Sequence, residues 1–377
     1  MISKILALTI CFFCFFIQFV ASNDIIGEID HISGEVEITR NGEIYESYDL
    51  EEGTELENYD LIRTLDDGEV SVIIDSPLCP ETIVQVDSDT TFSLEINKLE
   101  SRNETTLSMI TGALALKVQG LSSKQSFQVE SESAVMGVRG TSFSVGASPD
   151  GGVLVACEEG KVQCKNEDGD SLDCMPGKVV ENIPGESFKQ IPVAISSLKK
   201  FRKEWLAERI DAFKPNALKA IRQYAKKYKE MVLKFDEAYD SLKSKEDMIA
   251  KWIKENKAGK VGSKMEIMKE KKKIIGDLFK LRRILFIFEK IYFRLIELKG
   301  YYDQGYGKGL VREGLTTKQF FQKFAKQSRI LQKKVAKVKF LMKLYAKRNN
   351  GKFPADVFAD DDEADDNDDD FFGDDDF

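Results

Sequence analysis

The chain has 377 residues, a length that suits two folded domains, and its net charge of −9 conceals three blocks of alternating sign. Residues 1–195 carry 12 basic and 34 acidic side chains, residues 196–352 carry 43 and 17, and residues 353–377 carry 13 acidic and no basic ones. Charged side chains interrupt even the most apolar late segment, residues 284–298. Each would cost a few kcal/mol near a bilayer centre, which excludes a membrane span there.

Residues 1–22 are typical of a secretory signal peptide. Lys4 supplies the positive charge, and the uncharged run of residues 5–20 is short for a bilayer span. Small residues at positions 21 and 22 suit cleavage, and an uncleaved anchor is the alternative. In either case we expect the rest of the chain to be exported to the periplasm or the cell surface, which argues against a nucleic-acid partner.

Residues 24–195 show short alternating apolar runs with turn signals between them. The runs at residues 70–74 and 112–118 alternate with period two, and Asn41-Gly42 is a strong hairpin turn. Turns recur about every 8–12 residues, a spacing found in β-sandwiches and barrels. The pattern predicts an all-β domain of ten to thirteen strands, built as a sandwich or roll.

One turn in this region carries a family resemblance. Val138-Arg139-Gly140-Thr141, followed by Phe143, is similar to the Val-Arg-Gly-Thr-x-Phe signature of the FecR domain family, an all-β module of bacterial cell envelopes. Weaker matches occur in family order at 34–38, 53–56, 60–64, 159–162 and 176–177. The resemblance implies a sensing or interaction module, with these five turn residues as the candidate binding site. The structural alternative is that Arg139 ties the turn to carbonyls or a carboxylate and Phe143 belongs to the core.

The best-known members of that family control a sigma factor through a cytoplasmic segment, which precedes a membrane span and the FecR domain. Only Met1 to Lys4 precede the apolar run here, so we expect no cytoplasmic regulatory domain. We therefore predict a non-enzymatic interaction protein whose FecR-like domain binds an envelope protein or glycan. A FecR-type transmembrane signal regulator is the alternative.

Four cysteines follow the apolar run: Cys79, Cys157, Cys164 and Cys174. An even number of cysteines in an exported protein permits disulfides, and we expect at least one bridge, between Cys164 and Cys174. The spacings among the last three cysteines fit no zinc pattern, so we expect no metal site.

From about residue 196 the apolar period changes from two to near 3.5, which predicts an elongated antiparallel helical bundle or coiled coil over residues 196–352. Capping boxes begin at Ser263 and Thr316, and glycines separate the segments. The helices are expected near residues 197–213, 215–257, 263–299 and 315–349.

The basic character of these helices has two interpretations. Their lysines either bind an anionic lipid or polymer or fill solvated polar faces. The bundle could also mediate homo-oligomerisation.

Residues 353–377 cannot bury enough apolar surface to fold, which predicts a disordered acidic tail. The tail either contacts the basic helices, with phenylalanines such as Phe371 and Phe372 in an apolar groove, or only aids solubility.

No catalytic motif is present in the sequence. We find no Gly-x-Ser-x-Gly elbow, no phosphate-binding loop and no His-Glu-x-x-His, and His31 is the one histidine of the chain. The sequence therefore predicts a protein without enzymatic activity or cofactor. An enzyme that modifies envelope polymers is the least supported alternative.

Overall fold

The computed structural model describes residues 25–40, 43–98 and 103–349. A large N-terminal β-sheet region precedes a set of helices, so the predicted order of β then α is confirmed. The predicted signal peptide (1–22), the Asn41-Gly42 turn and the acidic tail (353–377) lie outside the described residues. Among the described helices, none combines the length and apolar character needed to cross a bilayer.

Seventeen strands form the β region of the described chain. They are β1 (Ile25–Ser33), β2 (Val36–Arg40), β3 (Glu43–Tyr45), β4 (Glu55–Glu57), β5 (Leu61–Thr64), β6 (Glu69–Ser76), β7 (Cys79–Val86), β8 (Thr91–Lys98), β9 (Asn103–Val118), β10 (Gln125–Glu130), β11 (Ala134–Val138), β12 (Ser142–Ala147), β13 (Val153–Glu159), β14 (Val162–Asn166), β15 (Ser171–Cys174), β16 (Lys178–Ile183) and β17 (Ser187–Pro192).

These strands pair in two ladders that share β9. One ladder runs β4-β1-β6-β7-β9-β12-β13-β16-β17. The other runs β3-β2-β5-β8-β9-β10-β11-β14-β15, and in it β9 and β10 pair in parallel. Buried apolar side chains of both ladders form one hydrophobic cluster, which closes the β region around a common core. The sandwich description itself stays a prediction.

The strand β9 changes ladder at Gly112. Residues up to Thr111 pair with β8, whereas Gly112 to Lys117 pair with β12 in the other ladder. Gly112 has φ +94°, and a Cβ there would lie 2.2 Å from Thr90 Oγ1 and 2.5 Å from Thr90 Cα. Only glycine combines this backbone conformation with so close an approach. The sequence predicted the second half of β9, but the threonines of the first half hid its strand character.

The β region has more strands than the predicted ten to thirteen. The strands β3 and β4 contain three residues each, too few to show an alternating pattern. The strand β17 lies at the end of its ladder and is only half-buried, so its apolar residues do not alternate clearly. Short and edge strands therefore account for much of the difference.

Within the part of the chain that the structure describes, five α-helices and one small hairpin follow the β region. They are α1 (Leu198–Phe213), α2 (Ala217–Asp240), α3 (Glu246–Lys257), α4 (Lys264–Asp303), the hairpin strands β18 (Leu310–Arg312) and β19 (Leu315–Thr316), and α5 (Thr317–Arg348). The predicted caps of α4 and α5 are present, since Ser263 accepts from the Glu266 amide and Thr316 forms a capping box with Gln319.

The predicted single helix over 215–257 is wrong. A 3-10 segment at Ser241–Lys245 separates α2 from α3. Ser241 Oγ donates to the Ala238 carbonyl at 2.6 Å, and Ser244 Oγ donates to the Ser241 carbonyl at 3.0 Å. Such local bonds from serine side chains compete with regular helical bonding, which explains the interruption despite a continuous apolar pattern.

The helices α2 to α5 share one hydrophobic cluster, as expected for a bundle. Glu237 of α2 contacts Lys280 of α4, whereas the earlier Tyr228 contacts the later Phe288, so these two helices are antiparallel. The helices α4 and α5 are also antiparallel, because Tyr302 contacts Phe321 while the earlier Glu289 pairs with the later Lys339. The finer coiled-coil description stays a prediction.

Candidate functional site

The helix α1 is packed directly on the β region. Leu198 and Trp205 are buried against Leu154, Ala156 and Val179 of strands β13 and β16. Trp205 Nε1 donates a hydrogen bond of 2.8 Å to Glu181. Burial alone would raise the pKa of the Glu181 carboxyl, but hydrogen bonds from Lys189 and Trp205 outweigh it and lower the pKa. This carboxylate therefore anchors α1 in its ionised form.

Ion pairs join the basic helices to the acidic β region along their length. Arg202 donates to Asp87 at 2.8 Å, Arg282 to Glu95 at 2.6 Å, and Lys343 to Glu57 at 2.9 Å. Arg209 also pairs with Asp150. Part of the opposite charge of the two blocks thus meets at the interface between the β region and the helices. The opposite signs of the two blocks are the sequence signal that could have predicted this pairing.

A buried polar cluster lies at the centre of this interface, and we call it the Arg294 cluster (Glu132, Tyr224, Arg294 and Glu297). Arg294 is 2% exposed. Its Nη2 donates to Glu132 at 3.0 Å and to the Ile110 carbonyl at 3.3 Å, and its Nη1 donates to Glu297. Tyr224 donates its hydroxyl to Glu132. The cluster connects α2 and α4 to the segment between β10 and β11.

The pKa values of the two carboxyls of the cluster are shifted in opposite directions. Burial would raise the pKa of Glu132, but the charge of Arg294 and the Tyr224 hydrogen bond outweigh it and lower the pKa. At Glu297, burial outweighs the attraction of Arg294 and the hydrogen bond from Thr111, so the pKa is raised. Arg294 thus compensates two carboxyls in unequal surroundings.

Next to the cluster, a cleft of about 490 Å³ opens between the β region and helices α1 and α4. Its volume lies within the range of about 300–1,000 Å³ of small-molecule sites. Its charged and aromatic lining residues are Arg63, Glu69, Asp87, Asp89, Lys203, Lys214, Phe293, Glu297 and Tyr301. These residues come from strands, a loop and two helices, so the cleft has no counterpart in a local sequence motif.

Asp89 gives the cleft an unusual carboxylate. It has φ +53°, in the left-handed region that non-glycine residues rarely adopt. Burial, followed by the negative charge of Asp66, raises the pKa of its carboxyl. Neighbouring Asp87 is instead occupied by Arg202. The cleft therefore offers negatively charged groups that accept hydrogen bonds and positively charged groups that donate them.

The predicted FecR-like turn lies between β11 and β12. Val138, Thr141 and Phe143 are buried, and Gly140 has φ +67° with Gly120 too near for a side chain. The Val118 amide donates to the Thr141 carbonyl at 2.9 Å, which fixes the turn. Arg139 is exposed and makes no hydrogen bond or ion pair with a residue the structure describes. Both interpretations of Arg139 stay predictions. None of the five residues lines the cleft.

The four cysteines Cys79, Cys157, Cys164 and Cys174 are buried thiols, and the expected Cys164–Cys174 bridge is not formed in this structure. The register sets Cys164 opposite Leu172 and Cys174 opposite Val162, so the two cysteines are diagonal neighbours rather than a facing pair. Burial raises the pKa of Cys79 and of Cys157 to about 11 and that of Cys174 to about 12. Such thiols are poor nucleophiles at neutral pH.

Comparison with known proteins locates the family resemblance. Two crystal structures of a proposed anti-sigma factor from Parabacteroides distasonis, at 1.65 and 2.50 Å resolution, align with 17% and 18% identity and TM-scores of 0.32 and 0.25. Each alignment covers 37% of this chain and 63% or 57% of the other, so the chain spans less than two thirds of their length. No curated protein matches the chain. The family model described as FecR protein matches residues 60–163, which contain the Val138–Phe143 turn, and the FecR domain predicted from that turn is confirmed there.

Proposed function

We propose that this protein is a non-enzymatic interaction or sensing protein of the cell envelope, and that its partner enters the cleft between the FecR-like β region and the helices. One observation carries the proposal: a cleft of about 490 Å³ has walls from both parts of the chain. A ligand there would contact both parts at once. The family match over residues 60–163 supports the envelope assignment.

The chemistry of the lining favours a glycan. Carboxylates such as Asp89 and Glu69 accept hydrogen bonds from hydroxyl groups, and Lys203 donates to them. The rings of Phe293 and Tyr301 offer apolar surface for the carbon face of a sugar. A flat apolar pocket would not suit so hydroxyl-rich a ligand.

We propose no catalytic step in the cleft. Its two most enclosed carboxylates already accept from arginines, Glu297 from Arg294 and Asp87 from Arg202. An acid or base held in this way stabilises the interface instead of exchanging protons with a substrate.

The second candidate is a FecR-type signal regulator that recognises an envelope protein. The family match favours it. In that case the exposed Arg139 on the signature turn is the natural contact, because arginine without an internal partner can pair with a carboxylate of another protein.

Binding experiments with matched variants separate the two candidates. Ala207 is an exposed residue of α1 that lines the cleft, so Ala207→Trp would fill the cleft without disturbing the core. Ala212→Trp changes an exposed residue of the same helix outside the cleft and is the control. We would measure capture of isolated envelope glycans and of envelope proteins by the chain lacking residues 1–22.

Glycan capture that Ala207→Trp abolishes and Ala212→Trp leaves intact would support the cleft. Glycan capture that is equal in both variants would refute it. Protein capture that Arg139→Ala abolishes while Ala207→Trp has no effect would favour the signal regulator instead.

A further inference from the structure

One end of the bundle, where α3 stops and α4 starts, carries an uncompensated positive surface, which we call the basic end. It consists of seven exposed lysines that form no ion pair with a residue the structure describes: Lys254, Lys257, Lys260, Lys264, Lys269, Lys272 and Lys273. The adjacent Lys251 differs, since it is held by Glu266 and Glu270. The basic end therefore keeps its charge, whereas many basic residues near the β region have acidic partners.

The same surface exposes apolar side chains. Val261 is 49% exposed, Met265 69% and Met268 53%. Met265, Met268 and Lys272 follow one another at spacings of three and four residues, so they share one face of α4. Methionine adapts to irregular partners and makes favourable contacts with aromatic rings. A ligand with both negative charges and aromatic rings would fit this face.

The described chain ends at this surface. Arg348 Nη2 donates to Glu255 at 2.8 Å, and Lys347 Nζ donates to Asn256 Oδ1 at 3.0 Å. Lys271 also donates to Asn349. Asn349 therefore lies beside the end of α3 and the start of α4. Residue 353 follows four residues later, within a reach of about 14 Å.

We propose that residues 353–377 dock on the basic end. This segment has 13 acidic residues, no basic residue and five phenylalanines. Its carboxylates pair with the lysines of the basic end, and its phenylalanines cover Val261, Met265 and Met268. The contact is independent of the cleft and extends the proposed function with an internal partner for the bundle.

Tether length selects this end of the bundle over the other. A flexible segment of 25 residues has an r.m.s. end-to-end distance of about 25–30 Å. The opposite end lies some 30 residues further along α4, at about 45 Å. Attachment at Asn349 therefore gives the segment a high effective concentration at the basic end and a much lower one at the other end.

Carbodiimide cross-linking of the full chain tests the proposal, because this reagent joins a carboxylate to a lysine amine in direct contact. We expect cross-links from residues 360–376 to lysines of the basic end, within one molecule in a mixture of isotope-labelled and unlabelled chains. The triple variant Lys264→Glu, Lys269→Glu and Lys272→Glu should lower the yield at the remaining lysines at least fivefold. The matched variant Lys219→Glu, Lys226→Glu and Lys229→Glu reverses exposed lysines of α2 near the opposite end and should leave the yield unchanged.

Three outcomes would overturn the proposal. Equal cross-linking at both ends of the bundle would show unspecific attraction, and cross-links only between labelled and unlabelled chains would assign the surface to a second copy. An absence of tail cross-links, with lysines of the basic end reacting instead with added anionic vesicles, would make it a lipid-binding surface.

Discussion

Arg294 of α4 donates a hydrogen bond of 3.0 Å to Glu132, a residue of the β region 162 positions earlier in the chain. The arginine is almost completely buried, and it also pairs with Glu297 of its own helix. A single guanidinium thus satisfies two carboxylates at the centre of the interface between strands and helices.

Replacing Arg294 by methionine should destabilise the protein by about 3–5 kcal/mol, because the enclosed Glu297 and the half-buried Glu132 would lose their compensating charge. Denaturant unfolding followed by circular dichroism measures the loss. Arg312→Met is the control, since Arg312 is exposed on the hairpin and makes no ion pair with a described residue; we expect a change below about 0.5 kcal/mol. Equal effects of the two substitutions would contradict the role of the Arg294 cluster.

Replacing Glu181 by glutamine should remove a pH-dependent part of the stability. The folded-state pKa of Glu181 is lowered, so its contribution is present above the unfolded-state pKa of about 4.3 and disappears as the pH falls through the folded-state value. The variant should be less stable than the wild type at pH 7, and the difference should be smaller at pH 3. Denaturation midpoints at both pH values test this, with Glu208→Gln as an exposed control on α1. A difference that persists unchanged at pH 3 would refute the electrostatic explanation.

Replacing Gly112 by alanine should cost about 3 kcal/mol or more, because the Cβ would collide with Thr90 and the φ of +94° suits glycine. Gly276→Ala is the control, and we expect it to change the stability in the opposite direction. Gly276 lies within α4 with open space around it, so alanine there should stabilise the helix by up to about 1 kcal/mol. Thermal unfolding of both variants gives the comparison, and similar midpoints would show that β9 tolerates a different bend.

We expect alkylation to modify four thiols in a chain that lacks residues 1–22, because all four cysteines are free thiols in the structure. The reaction is run in denaturant without prior reduction. Under native conditions the reaction should be slow, because burial raises the pKa of Cys79 to about 11 and shields the sulfur. Intact mass counts the modified thiols. Modification of only two would show that one disulfide exists, and peptide mapping would then test whether it joins Cys164 and Cys174.

Deletion of residues 355–377 should raise the affinity for anionic vesicles at low salt, because it would uncover the lysines of the basic end. Vesicle co-sedimentation measures the change. In the background of Lys264→Glu, Lys269→Glu and Lys272→Glu the same deletion should have little effect. Unchanged binding after deletion in the wild-type background would contradict masking by this segment.

The sequence predicted elements whose signals are local. The cap at Thr316 and the periodic apolar residues after it placed α5 within a few residues, and the turn at Val138–Phe143 led to the FecR domain. The interruption at Ser241–Lys245 was missed because it depends on serine hydroxyls that bond to the backbone. The first half of β9 was missed because buried threonines gave it a polar appearance.

The cleft and the ion pairs could not be predicted from local sequence patterns, for a different reason. Arg202 and Asp87 are 115 positions apart, and the cleft is assembled from segments between Arg63 and Gln304. Which charges face each other depends on how α1 and α4 cross the strands. The opposite net charges of the β region and the helices could indicate that the two attract each other, but not which residues form ion pairs.

The membership of β9 in both ladders has a mechanical consequence. Its amides and carbonyls bond to β8 on one side of Gly112 and to β12 on the other, so a displacement of either ladder must be transmitted along a single continuous strand. The Arg294 cluster is hydrogen-bonded to this strand next to Gly112, through the Ile110 carbonyl and the Thr111 hydroxyl. A force on α4 is therefore transmitted to the point where the two ladders meet. We expect the strands and the helices to move together when such a force is applied.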